Sequence, residues 1–159
     1  MKTLAHKFLP LCLLMSLASG PAMAISDTYR ELSLRLQGQA ATALQADDAK
    51  RADELVNIAL TADPGNAQAF ILKGRVTHAL GDTMEALRLV TAGLEIEPTD
   101  LKGRILQVRY AVDLGDIETA ERAMLQYRAV CRSSCDAADQ LQNLVNEKRA
   151  DVATRKRVR

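Results

Sequence analysis

Residues 67–100 read AQAFILKGRVTHALGDTMEALRLVTAGLEIEPTD, and the register of this stretch decides the fold. The pair Gly81-Asp82 divides it and Pro98 closes it. Its landmarks recur at an interval of 34 residues: Ala52, Ala86 and Ala120; Pro64 and Pro98; Gly81 and Gly115. A period between about 20 and 50 residues is the signature of one supersecondary unit stacked on copies of itself, and this punctuation marks a helix–turn–helix unit. Such a unit cannot bury its apolar face alone, so neighbours stack and leave a concave surface.

Each landmark has a physical reason. Gly74 and Ala86 are small where two antiparallel helices are expected to cross closely. Gly81 supplies the positive φ that ends the first helix. Asp82 caps the second, and Glu85 three residues on is expected to complete a capping box. Pro98 cannot continue a helix and disfavours helix in the residue before it. With Phe70, Gly74, Gly81, Ala86, Val90, Gly93 and Pro98 in these places, the stretch resembles the tetratricopeptide repeat family. Residues 33–66 follow in register through Ala40, Ala52, Val56, Ala59 and Pro64, with Leu36 in the aromatic place and Asp47-Asp48 for Gly-Asp. Residues 101–134 keep Val108, Gly115-Asp116, Ala120 and Met124, with Arg104 in the aromatic place and Tyr127 in a small one. The resemblance implies an all-α solenoid of three repeats (33–66, 67–100, 101–134) within 25–135.

Helices are expected near 27–45, 48–62, 66–80, 82–96, 99–113 and 116–130. A seventh, about 136–155, has Leu141, Leu144, Val145, Lys148 and Val152 at helical spacing and would cap the last repeat within 136–159.

The chain opens differently. Lys2 and Lys7 precede the apolar run Phe8–Leu17, Ser19-Gly20-Pro21 breaks it, and Ala22-Met23-Ala24 offers a small–x–small cleavage site. This is the pattern of a signal peptide over residues 1–24, giving a periplasmic, exported chain that begins at Ile25. A membrane anchor is the alternative, but the apolar run is well short of the roughly 20 residues a bilayer requires. Cys12 lies inside the run, a poor match to lipoprotein processing.

The whole chain carries 21 basic and 20 acidic residues. The charge is uneven: from Lys148 onward six basic residues face Asp151 alone, so the body 25–147 is acidic. The basic tail could touch an anionic membrane surface or steer a partner, or simply be the solvated end of a helix. Trp is absent and aromatics are few, so stacking platforms for nucleic acid are missing and the net charge is wrong for duplex binding.

Where the third repeat should close on proline the chain reads Cys131-Arg132-Ser133-Ser134-Cys135. Loss of Cys12 with the leader leaves two thiols in an exported chain, which favours a disulfide. A redox-active pair, a metal site and two free thiols are the alternatives. A redox pair usually has two intervening residues, and a metal would need more ligands than one remaining histidine provides.

The family resemblance implies that the first helix of each repeat lines the concave face. It places Leu34, Gln37, Ala41, Leu44 and Gln45 there, then Gln68, Ile71, Arg75, His78 and Ala79, then Lys102, Ile105, Arg109, Val112 and Asp113. Ile71 and Ile105 form one ladder; Arg75 and Arg109 form another, with Lys102 nearby. Aliphatic floor beside guanidinium groups suits a protein or peptide client carrying a carboxylate. The alternative is that the arginines only solvate this face or pair with Asp113. Gln37 and Ala41 stand where chaperone-binding members of the family have Lys and Asn, so chaperone C-termini are not expected clients.

Enzymatic activity is not expected, nor is a cofactor, a metal or a small-molecule substrate: phosphate loops, metal motifs and nucleophile elbows are missing. The function expected is a non-catalytic adaptor for an envelope machine such as a pilus or secretion system. The cysteine pair before a Leu-rich terminal helix is similar to the short repeat proteins of the tight-adherence (Flp) pilus. Two rivals are a docking accessory to a periplasmic enzyme system, in cytochrome maturation or cell-wall synthesis, and an oligomer that associates through the open edge at 27–45.

Overall fold

A recurring turn organises the molecule. In the computed structural model, which describes residues 20–132 and 135–157, Asp48, Asp82 and Asp116 each cap a helix, 34 residues apart. Each carboxylate accepts the backbone N–H three residues on at 3.0 Å, from Arg51, Glu85 and Thr119. Each also donates its own N–H backwards, to the carbonyls of Ala43, Thr77 and Ala111 at 3.0, 3.1 and 3.0 Å. That backward bond closes the preceding helix and requires a left-handed residue just before the cap. Asp47, Gly81 and Gly115 fill that place, with φ of 58°, 96° and 75°. Asp47 therefore does the work of glycine in the first repeat.

Among the described residues seven helices result: α1 (Gly20–Gln45), α2 (Ala49–Ala62), α3 (Ala67–Ala79), α4 (Thr83–Ile96), α5 (Leu101–Leu114), α6 (Ile117–Cys131) and α7 (Ala138–Arg157). Among the described residues there is no strand. Consecutive helices pair as α1–α2, α3–α4 and α5–α6, the pairs stack, and α7 packs on α5 and α6. The expected helices agree with the observed ones to within two residues, except that α1 begins at Gly20 rather than near 27. Pro21 falls in its first turn, where the missing N–H breaks no helical bond. The cleavage site expected after Ala24 lies within α1, while the apolar run of the leader lies outside the described residues. Among the described residues no helix is long and apolar enough to cross a membrane.

The expected capping box is not formed. Glu85 turns its two carboxylate oxygens to Arg88, at 2.7 and 2.6 Å. The Asp82 N–H it would have reached is already donated to Thr77. These contacts hold the Glu85 carboxyl below its usual range and raise Arg88.

Close helix contact explains the small residues. A Cβ on Gly74 would stand 2.7 Å from Val90 Cγ2 and 2.9 Å from the Ala86 carbonyl, so α3 lies backbone to backbone against α4. Val56, Val76, Val90 and Val108 are fully enclosed in the cores that run through the stack. At the end of the array, Leu141 and Val145 of α7 are fully buried against α5 and α6. Tyr127 fits in a small residue's place here, and its hydroxyl accepts the Ala137 N–H at 3.3 Å, fixing the approach to α7.

The junction before α7 departs from the repeat. Arg132 has φ 51°, and the Cα atoms of Cys131 and Cys135 lie 5.2 Å apart with their sulfurs in bonding contact. Part of the basic tail is paired: Arg149 with Glu121 of the body, and Arg155 with Asp151 one turn back in α7 at 3.0 Å. Val158 and Arg159 lie outside the described residues.

Two substitutions test these points by urea or thermal unfolding. Gly74→Ala forces a methyl against the α4 backbone and should cost about 1–3 kcal/mol. Asp47→Gly relieves the left-handed strain of a residue with a Cβ and should stabilise by about 0.5–1 kcal/mol. A neutral Gly74→Ala would contradict the packing described.

Candidate binding groove

Three of the seven helices, α1, α3 and α5, line a depression of about 320 Å³ on the inner side of the stack. Gln37 and Ala41 come from α1, Gln68, Ile71, Leu72 and Arg75 from α3, and Lys102, Ile105 and Leu106 from α5. Ile71 is 4% exposed, so it is floor more than contact surface. Its seat exists because two neighbours lack side chains. A Cβ on Gly93 would be 2.8 Å from Ile71 Cγ1, and one on Gly103 would be 2.9 Å from Ile71 Cδ1. Ile105 and Leu106 are half-buried and extend the apolar floor.

Most polar groups of this floor are already committed. Gln68 Nε2 donates to Glu97 Oε2 at 2.9 Å and to Asp100 Oδ2 at 2.7 Å, tying α3 to the turn before α5. Gln37 Oε1 accepts from Asn66 Nδ2 at 3.1 Å, and the same amide donates to Ser33 Oγ at 2.9 Å. Both glutamines sit where the sequence placed them, with their amides holding the turns between repeats.

The cations divide by face. Lys73 pairs with Asp53. Arg104, buried in the aromatic place, donates to the Pro98 carbonyl at 3.2 and 3.0 Å, to Gln107 at 3.0 Å and to Gln126 at 2.7 Å. Burial pushes its pKa down, and no carboxylate offsets this among these contacts. On the concave side Arg75, Lys102 and Arg109 are exposed and make no hydrogen bond or ion pair with any described residue. Among the described residues no acidic side chain lines the 320 Å³ depression.

The two arginines are not in one hollow. Arg75 lines the first; Arg109 lines a second depression of about 470 Å³, with His78, Tyr110, Asp113 and two α7 residues, Gln140 and Leu144. Asp113 pairs with His78 at 3.4 Å, so the expected alternative of an Asp113–arginine pair is not what forms. The His78 ring stacks on Tyr110, centroids 4.5 Å apart and planes 16° from parallel. Burial raises the Tyr110 phenol to about 12, with Arg75 and Arg109 opposing the shift and Asp113 adding to it.

Sequence reasoning missed Leu106, Tyr110, Gln140 and Leu144. Leu106 and Tyr110 share a helix face with Asp113 at i, i+4 and i+7, which was a usable signal. Nothing in the repeat register announces the α7 residues. Leu34 lines neither hollow but a third depression, with Arg30, Ile96 and the Gln68 it shares with the first. Among the described residues no group of three or more His, Cys, Asp or Glu could hold a metal ion.

Similarity to known proteins lies in shape. No protein-family model matches the chain, and no curated protein matches it. Solved structures do. The TPR2B domain of yeast Sti1, in complex with pHsp70, matches with TM-score 0.70 at 11% identity, covering 76% of this chain and 98% of that one. The type III secretion translocator chaperone SycD of Yersinia enterocolitica matches with TM-score 0.69 at 13% identity, covering 86% and 97%. PcrH from Pseudomonas aeruginosa matches with TM-score 0.64 at 18% identity, covering 87% and 98%. With this helix order, this recurring turn and these neighbours, the chain has the all-α fold of the tetratricopeptide repeat.

Proposed function

We propose that the chain is a non-catalytic adaptor that holds an acidic, partly apolar segment of another protein in its concave groove. The observation that carries this reading is the sorting of charge on α3 and α5. Cations facing away from the groove are paired or hydrogen-bonded, whereas Arg75 and Lys102 beside its aliphatic floor, and Arg109 in the adjoining hollow, are left open. Exposed cations without partners cost little in water and give on-rate and selectivity when a carboxylate arrives. The fold supports the reading: SycD and PcrH have been solved with a peptide of YopD and with the chaperone-binding region of PopD.

The setting we propose is the cell envelope. The leader-like opening supports export to the periplasm. The cysteine pair ahead of a terminal helix supports service to a pilus or secretion machine, the tight-adherence pilus being one instance. In that setting Cys131 and Cys135 form a disulfide, worth roughly 2 kcal/mol for so short a loop. It fixes the turn into α7. A membrane-surface role for the basic tail would use only charges beyond those paired with Glu121 and Asp151. Exposed Tyr29 and Leu34 on α1 favour self-association as the second reading, which light scattering would show as a dimer.

Two measurements test the main reading. Arg75→Glu with Arg109→Glu should weaken binding of the partner that co-purifies with the wild-type chain by about 100-fold or more, with unchanged melting. Unchanged capture of that partner would sink the groove as the site. Alkylation and mass spectrometry of the exported protein should label neither cysteine until reductant is added; two labelled thiols without reduction would refute the disulfide.

A further inference from the structure

Gln140 and Leu144 place α7 on the wall of the 470 Å³ depression, opposite His78, Arg109 and Tyr110. Leu106 lines this depression and the first one as well, so the two hollows adjoin at a single half-buried side chain. The terminal helix thus does more than cover the apolar end of the stack.

Tyr110 gives the second hollow its chemistry. The residue is 5% exposed and lines the depression; its hydroxyl makes no hydrogen bond to any described residue and keeps contact with solvent. Tyr127 is buried to a similar degree and accepts the Ala137 N–H. Among the described residues no buried side-chain nitrogen or oxygen lacks a partner, so the unbonded Tyr110 hydroxyl is open to the depression, where water or an acceptor on a client can pair it. Burial keeps the Tyr110 phenol protonated up to about 12, so it stays a donor at any physiological pH. His78 covers its ring and lies 3.4 Å from Asp113, and Arg109 is the unpaired cation on this rim. A phenol donor beside an unpaired guanidinium is suited to a carboxylate or a carbonyl oxygen.

We propose that the second depression is a subsite for the same client. It receives a carboxylate-bearing residue of the segment whose apolar side chains rest on Ile105 and Leu106. The Tyr110 hydroxyl is its hydrogen-bond donor and α7 its outer wall. This rests on the groove being the binding site. Four helices, α1, α3, α5 and α7, then line one trough. At about 8–10 Å between neighbouring helices it spans roughly 25–30 Å, the reach of about eight or nine extended residues.

The test uses the full chain in the cells that make it. A photo-reactive side chain is placed at Lys102 in the first hollow, at Gln140 in the second, and at Met84, exposed and outside both, as control. Both hollows should crosslink to one partner, at attachment points within about ten residues of each other. No crosslink at Lys102 above the Met84 level would overturn the groove itself. A crosslink at Lys102 with none at Gln140, or with a different partner there, would overturn the second subsite alone. With the partner so identified and purified, Tyr110→Phe keeps the ring and its stack and removes only the donor. Affinity should fall about 5–20-fold with unchanged melting. Equal affinity for wild type and variant would refute the proposal.

Discussion

Ile71 can reach the floor of the groove only because Gly93 and Gly103 carry no side chains. Its Cγ1 and Cδ1 occupy the space that Cβ atoms on α4 and α5 would take. One side chain therefore joins three helices and two repeats, and it brings α3 close enough to α5 for their exposed faces to form one surface. The same economy operates at Gly74, where α3 lies directly on the α4 backbone. Interiors packed this closely have two outcomes, fit or clash, so curvature is set by a few small residues and not by a diffuse preference.

That surface is polarised by what its neighbours already hold. Glutamines 37 and 68 are used in turns, Asp113 is used by His78, and Lys73 and Arg104 are used behind the floor. What remains available to a partner is positive charge, aliphatic carbon and one phenol. A segment rich in Lys or Arg would meet repulsion at Arg75, Lys102 and Arg109. An apolar segment without acids would leave those cations poorly solvated. Selectivity of this kind comes from mismatched charge as much as from attraction.

The repeat architecture was legible in the sequence because its markers act locally. A left-handed residue, an aspartate cap and a proline each dictate backbone geometry within a few residues, so a period of 34 could be read without knowing any contact. Asp47 shows the limit. It adopts the glycine conformation at φ 58°, and composition alone would have marked that turn as broken. Groove positions were legible where the repeat register carried them, as at Arg75, Lys102 and Ile105. They were not legible where long-range packing decided. The Gln68 amide is claimed by Glu97 and Asp100, Tyr110 becomes buried, and α7 brings Gln140 and Leu144 to the depression that His78 lines. Glu85 failed as a capping partner for a related reason, since a backward backbone bond had already taken the N–H it needed.

Hydrogen exchange measured by mass spectrometry, on the chain alone and with its co-purified partner, probes the inner surface directly. Partner binding should slow exchange in α3 and α5, the helices that carry the groove, and leave α2, α4 and α6 nearly unchanged. Protection confined to α4 and α6, on the outer side, would contradict a concave binding surface.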